Sequence, residues 1–255
     1  MVQRRLGNVW IVGASSGIGA SLAKLADDRA DHIAVSARSK EGLESVANSG
    51  QHIVSYPLDV TDHEAAYKTA EEIEQRFGSI DLAVFCAGVW HPMSADSMDI
   101  DKMRQTMEIN YFGAVNIVNA VLPGMKKQGS GHIVIVSSVA GYRGLPTAAA
   151  YGSSKAALSH LTETLTVELR KYGIVVTLVN PGFVDTPMSR VNTYKMPGII
   201  SSEAAAEKML DGILKQKPAI FFPFGFTTFM RALNFLPYRV FYWLAGRIGG
   251  EGKNQ

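Results

Sequence analysis

Short apolar runs rich in valine and isoleucine alternate with longer stretches of helical period along most of this chain. The runs fall at Asn8–Gly13, His32–Ala37, His52–Leu58, Asp81–Cys86, His132–Ser137, Val175–Asn180 and Ala219–Pro223. Nearly continuous apolarity over so few residues is how strands buried on both faces read. The intervening segments predict helices over Gly17–Asp28, Glu41–Ala47, Asp62–Phe77, Asp101–Lys127, Ala149–Tyr172 and Ser202–Lys215. An unbroken β-α order calls for right-handed crossovers, so the expected fold is α/β, a doubly wound, mostly parallel seven-stranded sheet with helices on both faces. Ligands of such sheets bind beyond the carboxyl ends of the strands.

From Pro187 to Ile200 the period lapses, and Pro187, Pro197 and Gly198 mark a long loop. A loop of that length in a compact domain is usually functional, and a substrate lid over about 187–200 is expected. The chain reads as one domain over 1–255, with a core over 8–223 and a helical, hydrophobic C-terminal extension over 224–255.

At 47% hydrophobic and 19% charged residues, the composition suits a globular core and excludes a disordered chain. A net charge of +2 gives no electrostatic footprint for a nucleic-acid partner. The lone cysteine, Cys86, forms no internal disulfide and offers no metal cluster, which fits a reducing compartment, the cytoplasm, and no metal. The basic start before an apolar stretch superficially resembles a secretory signal, but that stretch holds Gly13, Gly17 and Gly19 and turns into a helical pattern, so it is read as structure.

Directly after the first strand comes Gly13-Ala14-Ser15-Ser16-Gly17-Ile18-Gly19, followed by helical period. Strand, glycine turn and helix in that order make a pyrophosphate site: the glycines admit the phosphates to the backbone, and free N–H groups at the helix start attract negative charge. The second strand ends in Ser36-Ala37-Arg38-Ser39, where NAD-specific folds place an acid for the ribose hydroxyl. Arg38 suits a 2′-phosphate instead, so NADP(H) is expected over NAD(H); a solvated arginine at a strand end is the plain alternative.

Tyr151 and Lys155, four residues apart, share one face of the predicted helix. A neighbouring ammonium favours tyrosinate, which would bring the phenol toward working pH as a proton donor. Alone, such a pair occurs by chance on many helices. Ser137 and Ser138 end a very apolar strand, and one hydroxyl there can steady a substrate oxygen, or either can simply satisfy backbone groups.

With these pieces in order the chain resembles the short-chain dehydrogenase/reductase superfamily, in its short single-domain branch, over roughly Asn8 to Pro223. The resemblance implies a Rossmann fold and an oxidoreductase moving a hydride between nicotinamide and a carbonyl or alcohol. It assigns Gly13, Ser15, Ser16, Gly17, Ile18, Gly19, Ala87 and Gly88 to the cofactor, and Asp59-Val60 to its adenine. Pro181, Gly182 and Thr186 correspond to the segment lining the nicotinamide. Tyr151 corresponds to the acid/base, and Lys155 to the residue that tunes it and holds the nicotinamide ribose. Asn110 corresponds to the support of a water relay, and Ser138, thirteen residues before Tyr151, to the group positioning the substrate oxygen. Two positions depart from the family's pattern: Val12 stands for threonine and Cys86 for asparagine, which puts local hydrogen bonding in question. A homodimer or homotetramer is implied by resemblance only.

Trp90, His91, Tyr142, Leu145, Phe183, Met188, Tyr194 and Met196 are candidate substrate contacts, and they suggest an apolar carbonyl or alcohol. Past Pro223 the chain continues through many aromatic residues, with Arg231, Arg239, Arg247 and Lys253 against a single acid, Glu251. The sequence leaves three roles open for this extension: peripheral contact with a membrane, a cover over the active site, or a subunit contact.

Overall fold

The apolar runs line up side by side in a computed structural model that describes residues 5–192 and 195–248. The strands are β1 (Asn8–Val12), β2 (His32–Ser36), β3 (Ile53–Ser55), β4 (Leu82–Phe85), β5 (Gly131–Val136), β6 (Ile174–Pro181), a short pair β7 (Val184–Asp185) and β8 (Ile200–Ser201), and β9 (Ala219–Phe222). Seven of them form one sheet in the order β3-β2-β1-β4-β5-β6-β9, and every pairing in it is parallel. The order reverses between β1 and β4, which opens a crevice at their carboxyl ends.

Helices α1 (Gly17–Ala26), α2 (Lys40–Ala47), α3 (His63–Phe77), α4 (Ile100–Met107), α5 (Gly113–Gln128), α6 (Ala149–Leu169) and α7 (Ser202–Leu214) alternate with the strands. Strand alternation divides the core between two layers. Val9 and Ile11 of β1 join the apolar cluster with α1, α2 and α7, whereas Trp10 and Val12 join the cluster with α3, α5 and α6.

Three elements differ from the sequence reading. The third strand stops at Ser55, because Pro57 has no N–H for the ladder; Tyr56 and Leu58 still donate to the carbonyls of Val35 and Ala37, at 2.9 and 3.0 Å. The long fourth helix is interrupted by a π turn over Glu108–Phe112. The long loop is closed at its base by the two-residue pair β7 and β8, too short to leave a period in the sequence, and carries a 3-10 turn over Ser189–Val191.

The extension forms α8 (Phe224–Ala232), a 3-10 turn over Leu233–Phe235 and α9 (Tyr238–Ile248). Met230, Leu233 and Phe241 bury themselves against Val139, just after β5, with Tyr142 and Leu145 packed alongside. The extension is thereby pinned to the carboxyl edge of the sheet.

Candidate active site

The carboxyl ends of β1, β4, β5 and β6 open into one cleft of about 1310 Å³. The chain leaves β1 through Gly13 at φ +88°, where a Cβ would stand 2.4 Å from the Ala87 nitrogen, so β1 and β4 come this close only without a side chain there. A Cβ on Gly19 would meet the Gly13 carbonyl oxygen at 2.4 Å, so the first turn of α1 rests directly on the loop. Ser15, Ser16, Gly17, Ile18 and Gly19 all line the cleft. The side chain of Ser16 makes no capping bond, which leaves the first N–H groups of α1 for a ligand. A bare backbone cradle ending in an uncapped helix start fits a dinucleotide pyrophosphate.

Arg38, exposed at the end of β2, lines the same cleft. Of the pair Asp59-Val60, Val60 lines the cleft, while Asp59 accepts from the N–H and hydroxyl of Thr61 at 3.0 and 2.8 Å. The Thr61 N–H, with help from the Arg38 charge, holds the Asp59 carboxyl below the usual carboxylate range.

On the other side, α6 presents Tyr151 and Lys155, and both line the cleft. The Lys155 ammonium donates to the Val136 carbonyl at 2.9 Å and lies 5.5 Å from the Tyr151 ring centroid. Burial pushes its pKa down to about 8. Trp90 meets Tyr151 edge to face, with centroids 5.1 Å apart, and donates its indole N–H to Asn192, in the loop between β7 and β8, at 2.8 Å. The two serines after β5 both border the cleft but differ in their bonds. Ser137 donates to the Lys155 carbonyl at 2.7 Å and pairs with Ser159 at 2.9 Å, engaged with α6. The Ser138 hydroxyl accepts from the Ala140 N–H at 3.1 Å and sits on the cleft wall.

Asn110 is fully buried on the π turn and does not line the cleft. Its Oδ1 accepts from the Val89 N–H at 2.7 Å, and its Nδ2 donates to the Val89 carbonyl at 3.1 Å and to Ser154 at 3.0 Å. A π turn commonly marks a functional position, and here it turns this amide toward the chain leaving β4. A Cβ on Gly88 would stand 3.2 Å from Asn110 Oδ1 and 3.7 Å from Lys155 Nζ, so both polar ends flank one glycine.

Pro181, Gly182 and Thr186 line the cleft from β6 onward, as do Ala87 and Gly88 after β4. Where the two departures fall, the backbone joins the strands, the Cys86 N–H donating to the Val12 carbonyl at 2.8 Å. Val12 is fully buried, Cys86 half-buried on the cleft wall, and desolvation pushes the thiol up to about 12, which keeps it neutral. Thr147, also lining the cleft, holds a φ of +62°, an uncommon conformation for a β-branched residue; its carbonyl accepts from the Met93 N–H at 3.1 Å.

Among the candidate substrate contacts, Trp90, Leu145, Phe183 and Met188 line the cleft. His91 is instead within 3.2 Å of the Thr106 hydroxyl, Tyr142 packs under the extension, and Met196 accepts from Asn192 Nδ2 at 3.4 Å. Tyr194 lies outside the described residues. Absent from the sequence-based set are Phe226, Phe229, Met230, Leu233, Phe241 and Leu244, all of which line the cleft from the extension. The three-and-four spacing of Phe226, Met230 and Leu233 is the signal that one face of α8 is buried.

A parallel sheet whose switch-point crevice joins a glycine cradle to a Tyr-Lys helix face defines a nucleotide-linked enzyme of the doubly wound class. Comparison with known proteins makes this specific. The short chain dehydrogenase family profile matches residues 7–196. An uncharacterized oxidoreductase of Myxococcus xanthus is 34% identical over 242 residues, covering 93% of this chain and 96% of that protein. Human 17-beta-hydroxysteroid dehydrogenase 13 is 30% identical over 238 residues, covering 91% and 79% respectively. A crystal structure of a short-chain dehydrogenase from Streptomyces avermitilis shares the fold at a TM-score of 0.83 and 24% identity, over 99% of this chain and all of that one. The chain belongs to the short-chain dehydrogenase family. It is therefore an oxidoreductase acting on CH–OH or C=O groups of a small molecule, in a family that uses a nicotinamide cofactor.

Proposed function

We propose that this oxidoreductase is NADP(H)-dependent and interconverts an apolar carbonyl compound and its alcohol, with Tyr151 as the acid/base. The supporting observation is the joined cleft: the glycine cradle and Arg38 at one end, Ser138, Tyr151 and Lys155 in the middle, and apolar Trp90, Leu145, Phe226 and Met230 beyond. In this reading Gly13, Ser15, Ser16, Gly17, Ile18 and Gly19 receive the pyrophosphate, and Arg38 pairs with the 2′-phosphate. Val60, with Asp59 behind it, borders the adenine. Ala87, Gly88, Pro181, Gly182 and Thr186 border the nicotinamide end. When bound, the nicotinamide supplies or accepts the hydride.

The chain's own residues manage the proton. Ser138 donates to the substrate oxygen and orients it, while Tyr151 delivers a proton there during reduction. The Lys155 ammonium favours loss of that proton from Tyr151, and its bond to Val136 fixes where the charge stands. Asn110, bonded to Val89, holds the backbone beside Gly88 in place for a water that reloads Lys155. Assembly as a homodimer or homotetramer, and residence in the reducing cytoplasm, are proposed on the family resemblance and the lone Cys86 respectively.

A panel of aldehydes and ketones followed at the nicotinamide absorbance tests the reading. Turnover with NADPH should exceed that with NADH, Arg38→Asp should reverse the preference, and Tyr151→Phe should lose about 10²–10⁴-fold in kcat. A clear preference for NADH in the wild type, or a Tyr151→Phe variant that keeps kcat within about tenfold of wild type, overturns it.

A further inference from the structure

The extension has two unlike faces. Inward, Phe226, Met230, Leu233, Phe241 and Leu244 form one wall of the cleft. Outward, the exposed positions of α9 are Tyr238, Arg239, Val240, Tyr242, Trp243 and Arg247, where a water-facing helix would carry charges of both signs. Half of the exposed large apolar side chains among the described residues fall between Phe224 and Trp243, with Phe235 at 90%, Tyr242 at 63% and Trp243 at 56% exposure. From Phe224 to Ile248 there is no acid, and the charges are Arg231, Arg239 and Arg247. The Arg247 guanidinium lies 4.0 Å from the Trp243 ring centroid, and that of Arg231 lies 4.4 Å from the Phe221 centroid, so each long stem covers an aromatic ring. The lid adjoins this surface: a Cβ on Gly198 would lie 3.5 Å from Pro223 and 3.8 Å from Phe226, which sets exposed Ile199 beside α8.

We propose that the outer face of α8 and α9 docks on an anionic lipid bilayer, and that the cleft takes its substrate, a carbonyl compound dissolved in that bilayer, through this side. The substrate half rests on the function proposed above. Tryptophan, tyrosine and arginine together on one helix face match the interface of a membrane, where rings sit among headgroups and guanidinium groups meet phosphates. A second copy of the chain fits this face less well. In a two-fold contact the patch meets itself, and arginine would oppose arginine with no acid in the segment to balance it. Docking is peripheral, for among the described residues no helix is long and apolar enough to cross a membrane. The same two helices both wall the cleft and face outward, so a bilayer on the outer face lies one helix layer from the substrate end.

Flotation of the purified full chain with vesicles tests the docking. Wild type should float with phosphatidylcholine–phosphatidylglycerol vesicles, float far less with phosphatidylcholine alone, and leave the anionic vesicles as salt is raised. The Arg239→Glu/Arg247→Glu double variant should bind anionic vesicles at least about thirtyfold more weakly, the loss of two basic groups alone accounting for that factor. Trp243 should shift its emission to the blue on binding, a change lost in Trp243→Phe, since Trp10 is fully buried and Trp90 stands against Tyr151. Butanal in water and dodecanal delivered in vesicles then read the substrate half: the double variant should keep the wild-type rate on butanal and lose it on dodecanal. Absence of flotation, equal flotation by the double variant, or a patch that alters oligomer mass without binding vesicles would each overturn the docking surface. Flotation is read without turnover, so a chain that floats yet reduces no carbonyl sinks the functional reading and the substrate half, not the docking.

Discussion

Replacing Lys155 with methionine removes an ammonium that the fold holds at 4% exposure beside the Tyr151 ring. Burial moves its pKa from 10.5 to about 8. A base with a depressed folded pKa binds its proton more tightly in the unfolded chain. Stability therefore rises with pH wherever the unfolded state keeps a proton that the folded state has lost, here between about pH 8 and 10.5. Below that window both states are protonated and the folded state carries the whole penalty, about 3 kcal/mol for this shift. Between pH 7 and 9.5 roughly 2 kcal/mol of it should be relieved. Urea unfolding of the cofactor-free protein, followed by the fluorescence of buried Trp10, gives the stability of wild type and Lys155→Met at both pH values. Subtracting one from the other cancels the remaining titrations. The wild type should gain on the variant by about 2 kcal/mol as pH rises. A difference that stays flat or shrinks refutes the reasoning, because the lysine would then titrate as if exposed. The same titration bears on the proposed chemistry: in that mechanism Lys155 keeps its charge at neutral pH and assists Tyr151, and the assistance fades as pH passes its folded pKa.

Three further substitutions probe the supporting contacts. Asn110→Ala leaves the Val89 N–H and carbonyl without this partner in a buried place, while Ser154 keeps its bond to the Tyr151 carbonyl, and thermal unfolding should show about 2–3 kcal/mol of lost stability. Trp90→Phe keeps a ring against Tyr151 but loses the donor to Asn192, so steady-state kinetics should show KM rising several-fold with kcat nearly kept, because the loop carrying Asn192 loses its tether while the proposed reacting groups remain. The Arg143 guanidinium lies 4.9 and 4.3 Å from the Tyr238 and Phe241 centroids and donates to the Asn234 carbonyl at 3.2 Å. Arg143→Met should speed amide exchange in α9 by about tenfold while leaving exchange in β5 unchanged, as about 1–2 kcal/mol of local anchoring is lost.

Most of the fold is legible in the sequence because burial leaves a period in the chain. Val9, Trp10, Ile11 and Val12 form a continuous apolar run because β1 is covered on both faces by different helices. Tyr151 and Lys155 reach the cleft together because a spacing of four is a property of one helix. What depends on a partner distant in sequence is silent. The π turn at Asn110 does not break the helical pattern; it accompanies bonds to Val89, which no window around residue 110 contains. Ser137 and Ser138 are adjacent and both border the cleft, yet only the position of α6 decides which of the two is engaged. The Asp59-Val60 pair is legible as a motif; that the Asp59 carboxylate accepts from Thr61 two residues on while Val60 lies on the cleft wall is not. The extension is the extreme case. Its apolar composition is plain from residue 224 onward, but an apolar helix announces only that it needs a cover. That Val139 and Leu145 supply the inner cover follows from packing across nearly a hundred residues of chain, and it is this contact that turns an apolar tail into a wall of the cleft.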